Sequence, residues 1–122
     1  MGKKILVVDD EPDVVTYLCA VLRDNGYEAM EAYDGEEALA KIASDRPDLV
    51  TLDITMPGLC GFEVLEEMIR INQNSRIIVV TSLSDKETGL KALKMGASSY
   101  LNKPFGAQKF KAAFERLIED TK

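Results

Sequence analysis

Apolar runs and helix-period stretches alternate five times along this chain, with Gly, Pro or Asn between most of them. The runs Lys3–Val8, Tyr27–Tyr33, Asp48–Leu52, Arg76–Thr81 and Ser98–Leu101 read as strands. The first, third and fourth are nearly continuous in Val, Ile and Leu, the pattern of parallel strands covered on both faces. The second is more polar, as an edge strand is. Between the strands, apolar residues recur at spacings of three and four. Val14, Leu18, Val21 and Leu22 share one face of the first helix, and Leu39 and Ile42 one face of the second. Phe62, Leu65, Met68 and Ile69 do so in the third, Leu90 and Leu93 in the fourth, and Phe110, Phe114, Leu117 and Ile118 in the last. Asp10 and Asp34 stand where helix caps belong, and Gly26 and Gly96 where helices stop. Five right-handed βα units predict an α/β, doubly wound sandwich around a parallel sheet. Local pattern does not fix the order of its strands.

Composition narrows the possibilities. A chain of 122 residues, 46% hydrophobic and 30% charged, has the length and balance of one globular domain. The net charge of −6 and the lack of a long basic run argue against a nucleic-acid surface. No stretch reaches the length of a membrane span, and Lys3-Lys4 precedes only four apolar residues, too few for a signal peptide. Two cysteines, Cys19 and Cys60, are too few for a disulfide framework and fit a reducing cytoplasm. Cys19 reads as a small packing residue, and nothing basic flanks Cys60 to activate it. The chain has no histidine, which removes Ser-His-Asp chemistry, the usual zinc ligands and any phosphohistidine of its own.

The candidate chemistry lies at the strand ends. Asp9-Asp10 directly follows the first apolar run, and Asp53 ends the third. Parallel strands bring their C-terminal ends to one edge, where ligands bind in open α/β sheets. Three carboxylates gathered there repel one another unless a hard cation neutralises them, so the cluster predicts a divalent-metal site. Thr81 ends the fourth run and Lys103 follows the fifth, at the same edge. Taken singly, Thr81 is an ordinary strand residue, Lys103 a surface charge, Tyr100 a packing aromatic and Met56-Pro57-Gly58 a loop. One crevice that holds the acids, the hydroxyl and the ammonium instead suits phosphoryl transfer. Asp53 is the candidate nucleophile, because it stands alone on its strand whereas Asp9 and Asp10 are paired on a neighbour.

Four segments then carry a resemblance. They are Ile5-Leu6-Val7-Val8-Asp9-Asp10-Glu11-Pro12, Asp53-Ile54-Thr55-Met56-Pro57-Gly58-Leu59-Cys60-Gly61, Val79-Val80-Thr81-Ser82, and Gly96-Ala97-Ser98-Ser99-Tyr100-Leu101-Asn102-Lys103-Pro104-Phe105. In this order and spacing they resemble the receiver domain of bacterial two-component response regulators, of the chemotaxis-receiver kind. The resemblance covers nearly the whole chain, so residues 1–122 read as a single receiver domain. It implies a flavodoxin-like strand order 2-1-3-4-5 and Asp53 as phosphoacceptor. It implies Mg²⁺, with Mn²⁺ as a substitute, held by Asp10, Asp53 and the Thr55 backbone carbonyl, with Asp9 acting through water. Lys103 would contact the phosphoryl group, Thr81 would move to bond it, and Tyr100 would turn inward as Thr81 moves. Pro57 and Gly61 match structural positions, and Lys103-Pro104 matches a peptide bond that is cis in the family. Ser82, Leu83 and Thr55 would tune access to the phosphoryl group and its lifetime.

The implied function is a cytoplasmic phosphorelay switch. A histidine kinase or phosphotransfer protein would donate the phosphoryl group, since this chain has no histidine. The output face would comprise the fourth helix, fifth strand and fifth helix, meeting an effector or a second copy, with no direct role for nucleic acid or membrane. The chain would not be an enzyme beyond its own phosphorylation and slow self-dephosphorylation. An aspartyl phosphatase would need a general acid two residues after Asp53, where this chain has Thr55. A flavin or nucleotide binder would cradle phosphate in the loop where Asp9-Asp10-Glu11 stands. A scaffold receiver that takes no phosphoryl group would not need the full set of site residues.

Overall fold

A computed structural model describes residues 3–55, 61–81 and 86–119. Five strands, β1 (Lys4–Val8), β2 (Glu28–Ala32), β3 (Leu49–Asp53), β4 (Arg76–Thr81) and β5 (Ser99–Asn102), alternate with five helices. The helices are α1 (Pro12–Asp24), α2 (Gly35–Asp45), α3 (Gly61–Ile71), α4 (Lys86–Met95) and α5 (Ala107–Glu119). All strand pairs are parallel, and the sheet runs β2-β1-β3-β4-β5. The more polar second run is therefore an edge strand, and the three apolar runs are the interior ones.

Alternation along the interior strands divides the core between two faces. Leu6, Val8, Val50, Leu52, Ile77 and Val79 pack under α2, α3 and α4. Ile5, Val7, Leu49 and Ile78 pack under α1 and α5, where Phe110, Phe114, Leu117 and Ile118 are all buried. Cys19 is buried on that face, and burial holds its thiol above the usual range, as expected of a packing residue. Among the described residues no helix is long and apolar enough to cross a membrane.

The expected α1 face packs on the core, with Leu18 and Leu22 fully buried, Val14 and Val21 half-buried against them, and Val15 and Cys19 added to the buried set. Two local expectations need correction. In α4, Leu90 and Leu93 are 52% and 37% exposed, and the buried residues are Gly89 and Ala92. Two small residues let the helix settle closely on the sheet, which turns the larger pair outward. Asp10 does not cap α1: the cap position belongs to Glu11, whose side chain makes no capping bond. Its amide is met by Asp9 Oδ1 at 3.0 Å instead. Asp34 does cap α2, accepting from the Glu37 amide at 2.8 Å. Gly26 and Gly96 follow α1 and α4 with φ of 87° and 119°, a conformation that glycine adopts without strain.

Candidate functional site

The register of the sheet brings the acidic residues together. β1 and β3 are neighbours with Val8 opposite Leu52, so Asp9 and Asp53 leave the sheet side by side. β3 pairs with β4 on its other side, Asp53 opposite Val80, which sets Thr81 one residue beyond. Thr81 pairs with Asn102, and Lys103 follows.

The Lys103 ammonium joins these strands. Its Nζ donates to Asp9 Oδ2 at 2.8 Å and to Asp53 Oδ2 at 3.0 Å, and Glu11 Oε1 lies 3.4 Å away. Asp9, Asp53 and Thr81 are buried at 2%, 3% and 0% exposure, so these charges sit where water screens them poorly. Asp53 Oδ1 accepts from both the amide and the hydroxyl of Thr55, at 2.9 and 2.6 Å. Asp10 is exposed, yet its carboxylate lies within 4.8 Å of ligand oxygens of both Asp9 and Asp53.

This cluster is electrostatically unequal. Burial pushes the Asp9 carboxyl above its ordinary value, and the charge of Asp53 adds to the rise, against the lowering bonds from Lys103 and the Glu11 amide. Burial alone would lower the Lys103 pKa, but hydrogen bonds and charge from Asp9 and Asp53 outweigh it and hold the ammonium above its ordinary value. Among the described residues, the carboxylates of Asp9, Glu11 and Asp53 thus face the one ammonium of Lys103, with Asp10 beside Asp9 and Asp53. An all-oxygen donor set of Asp9, Asp10 and Asp53 at this spacing fits a hard divalent cation such as Mg²⁺, and suits neither soft nor imidazole-preferring metals.

Packing fixes the surroundings. Gly61 opens α3 directly against Ile54, where any Cβ would overlap the Ile54 backbone. Tyr100 is half-buried, and its ring lies flush on Gly89, where an added Cβ would come within 2.5 Å of the ring. The Lys103–Pro104 peptide bond is cis. Pro57, Cys60, Ser82 and Leu83 lie outside the described residues. Two contributors escaped the sequence reading. Glu11 reaches Lys103, and its adjacency to Asp10 was a signal. Gly89 beneath Tyr100 left no local signal.

Comparison with known proteins agrees with this geometry. The profile of the response regulator receiver domain matches residues 5–115. The chain is 39% identical over 106 residues to the chemotaxis protein CheY of Thermotoga maritima, covering 86% of this chain and 88% of that protein. It is 37% identical over 118 residues to the alkaline phosphatase synthesis transcriptional regulatory protein PhoP of Bacillus subtilis, covering 97% of this chain. It spans about half of the length of PhoP, 49%. Among solved structures, a CheY-like receiver domain protein from Methanospirillum hungatei superposes with a TM-score of 0.94 at 28% identity. That match covers 99% of this chain and 97% of the other.

Proposed function

The chain belongs to the response regulator receiver domain family, and from that premise we propose that it is a phosphoacceptor switch with Asp53 as the acceptor. The observation that carries this reading is the single ammonium of Lys103 bonded to both Asp9 and Asp53 at the C-terminal edge of the sheet.

In the proposed reaction a carboxylate oxygen of Asp53 attacks the phosphorus of a phosphohistidine on a donor protein. An O–P bond forms and the N–P bond breaks, its electron pair returning to the imidazole nitrogen, which is then protonated. Lys103 balances negative charge on the phosphoryl oxygens, and Thr55 holds the other Asp53 oxygen in place. Asp9, Asp10, Asp53 and the Thr55 carbonyl would hold Mg²⁺, or Mn²⁺ in its place, which when bound supplies charge neutralisation to the same oxygens. A groove of about 370 Å³ opens beside Lys103 between α1 and the β5–α5 connection. Its apolar lining, with Val14, Tyr17, Leu18 and Phe105, suits a docking donor helix.

Thr81 and Tyr100 would carry the change outward, Thr81 closing on the phosphoryl group and Tyr100 moving against α4. Leu90 and Leu93, exposed on α4, would contact an effector or a second copy through the α4–β5–α5 face. Beyond its own phosphorylation and slow self-dephosphorylation no catalysis is proposed, since Thr55 stands where a general acid would be needed.

The test is intact mass after incubation with acetyl phosphate. One phosphoryl group should appear on the wild type only with Mg²⁺, and none on Asp53→Ala. Uptake by Asp53→Ala equal to wild type would contradict the assignment. No uptake by the wild type, even from a phosphohistidine donor, would favour a scaffold instead.

A further inference from the structure

β2 is an edge strand, and an edge strand presents a row of backbone groups to which another strand can add. In a parallel ladder alternate residues face the neighbour. The Glu28 amide donates to the Lys3 carbonyl, and the Ala32 carbonyl accepts from the Asp9 amide. Glu28, Met30 and Ala32 therefore face β1, and Ala29, Glu31 and Tyr33 face outward.

Each of these outward residues has a backbone group occupied by a charged side chain. Arg23, in the last turn of α1, donates to the Ala29 carbonyl at 3.1 Å. Lys41 of α2 donates to the Glu31 carbonyl. Glu37, one turn earlier in α2, accepts from the Tyr33 amide at 3.3 Å and bridges Lys41 at 3.7 Å. Cations meet carbonyls and the anion meets the amide, so the sign is right at all three positions. Bonds of this sort at the rim of a sheet contribute little to stability, so stability is not their main consequence. Their larger consequence is occupancy.

We infer that the outward edge of β2 is a self-pairing surface that this chain keeps closed with Arg23, Glu37 and Lys41, and that the occupant shut out is the same edge of a second copy. An antiparallel pairing centred on Glu31 sets Ala29 of one copy opposite Tyr33 of the other, so the edge complements itself about a two-fold axis. Bringing two Glu31 side chains together is a further deterrent.

Sedimentation equilibrium of the unphosphorylated chain, without Mg²⁺, tests this. The triple variant Arg23→Met, Glu37→Ala, Lys41→Met should gain mass with concentration, towards about twice the wild-type value set by a two-fold pair. Adding Glu31→Pro removes an outward N–H, spares the β1 ladder and should return the wild-type mass. A triple variant that keeps the wild-type mass throughout, or association that Glu31→Pro leaves intact, overturns the inference. If the triple variant does not fold, amide exchange on Glu37→Ala alone decides. The Tyr33 amide should exchange several-fold faster than in the wild type, and unchanged exchange overturns the closure.

Discussion

The two ends of the sheet bury polar side chains for different purposes. Among the described residues at the N-terminal end, buried Asn72 and half-buried Ser75 and Asp48 tie neighbouring segments together. Asn72, 6% exposed, donates to Ser75 Oγ at 3.0 Å and accepts from the Asn74 amide at 3.1 Å. Ser75 Oγ passes the chain on to the Pro47 carbonyl at 2.5 Å, and Asp48 accepts from the Lys4 amide at 2.8 Å. Donor meets acceptor, and the arrangement is complete. At the C-terminal end, Asp9 and Asp53 are as deeply buried but share one ammonium, with Asp10 and Glu11 beside them. That end carries more negative than positive charge, a surplus that the proposed phosphoryl group and its cation would engage. Burial with matched partners marks structure; burial with surplus charge marks a site.

Variants at the two ends should therefore separate chemistry from stability. The largest effect belongs to Lys103→Met, which removes the ammonium from both buried carboxylates. Phosphoryl uptake from acetyl phosphate, followed by intact mass, should slow by roughly 10²-fold or more, the scale for loss of one electrostatic contact in a transition state. An unchanged rate would place the charge balance elsewhere. At the opposite end, Asn72→Ala removes the acceptor of the Asn74 amide and the donor to Ser75 Oγ, and should cost about 1–3 kcal/mol in urea unfolding. Its uptake rate should stay at the wild-type value, and a large drop there would erase the distinction between the ends.

A smaller effect follows from the pH response of the crowded end. Asp9 in the fold holds its proton above its ordinary 3.8, so the folded state binds that proton more tightly than the unfolded chain. Its contribution to stability therefore falls as pH rises from 3.8 through the raised value. Lys103, also raised, acts at the other limit: its stabilisation is full below 10.5 and is lost as pH climbs through the folded value. Asp9→Asn should flatten the acid-side loss in chelator. It should also raise the metal-free unfolding midpoint at neutral pH by a few degrees, the scale on which about 1 kcal/mol moves a domain of this size. Mg²⁺ at a hundredfold excess over its dissociation constant should stabilise the wild type by about 2.7 kcal/mol and the variant by less. A variant with the wild-type pH profile and Mg²⁺ response would remove Asp9 from the account.

Much of this is legible in the amino-acid sequence. The unbroken Val, Ile and Leu runs marked β1, β3 and β4 as interior strands, and the polar Glu28 and Glu31 marked β2 as an edge. Phe110, Phe114, Leu117 and Ile118 gave the buried face of α5 because large side chains make a strong periodic signal. Gly89 and Ala92 gave almost none, so the larger Leu90 and Leu93 drew the buried stripe of α4 to the wrong face. Strand order came from family likeness, since pairing between distant segments leaves no local trace. The acids, Thr81 and Lys103 could be placed at one edge from strand ends alone. That Lys103 bonds Asp9 and Asp53 together depends on register and on how the connection after β5 turns back, and neither is written in a short window. The closed edge of β2 is of the same kind, because Arg23, Glu37 and Lys41 are unremarkable helix-surface charges until the strand parity is known.

The central claim is the identity of the acceptor atom, and chemical trapping addresses it most directly. Borohydride reduces an acyl phosphate to the alcohol, so treatment after acetyl phosphate and Mg²⁺ should convert Asp53 to homoserine, read by peptide mass spectrometry. Conversion is expected at Asp53 and at no other aspartate, and is lost when Mg²⁺ is chelated. Conversion at Asp9 or Asp10 in place of Asp53 would contradict it.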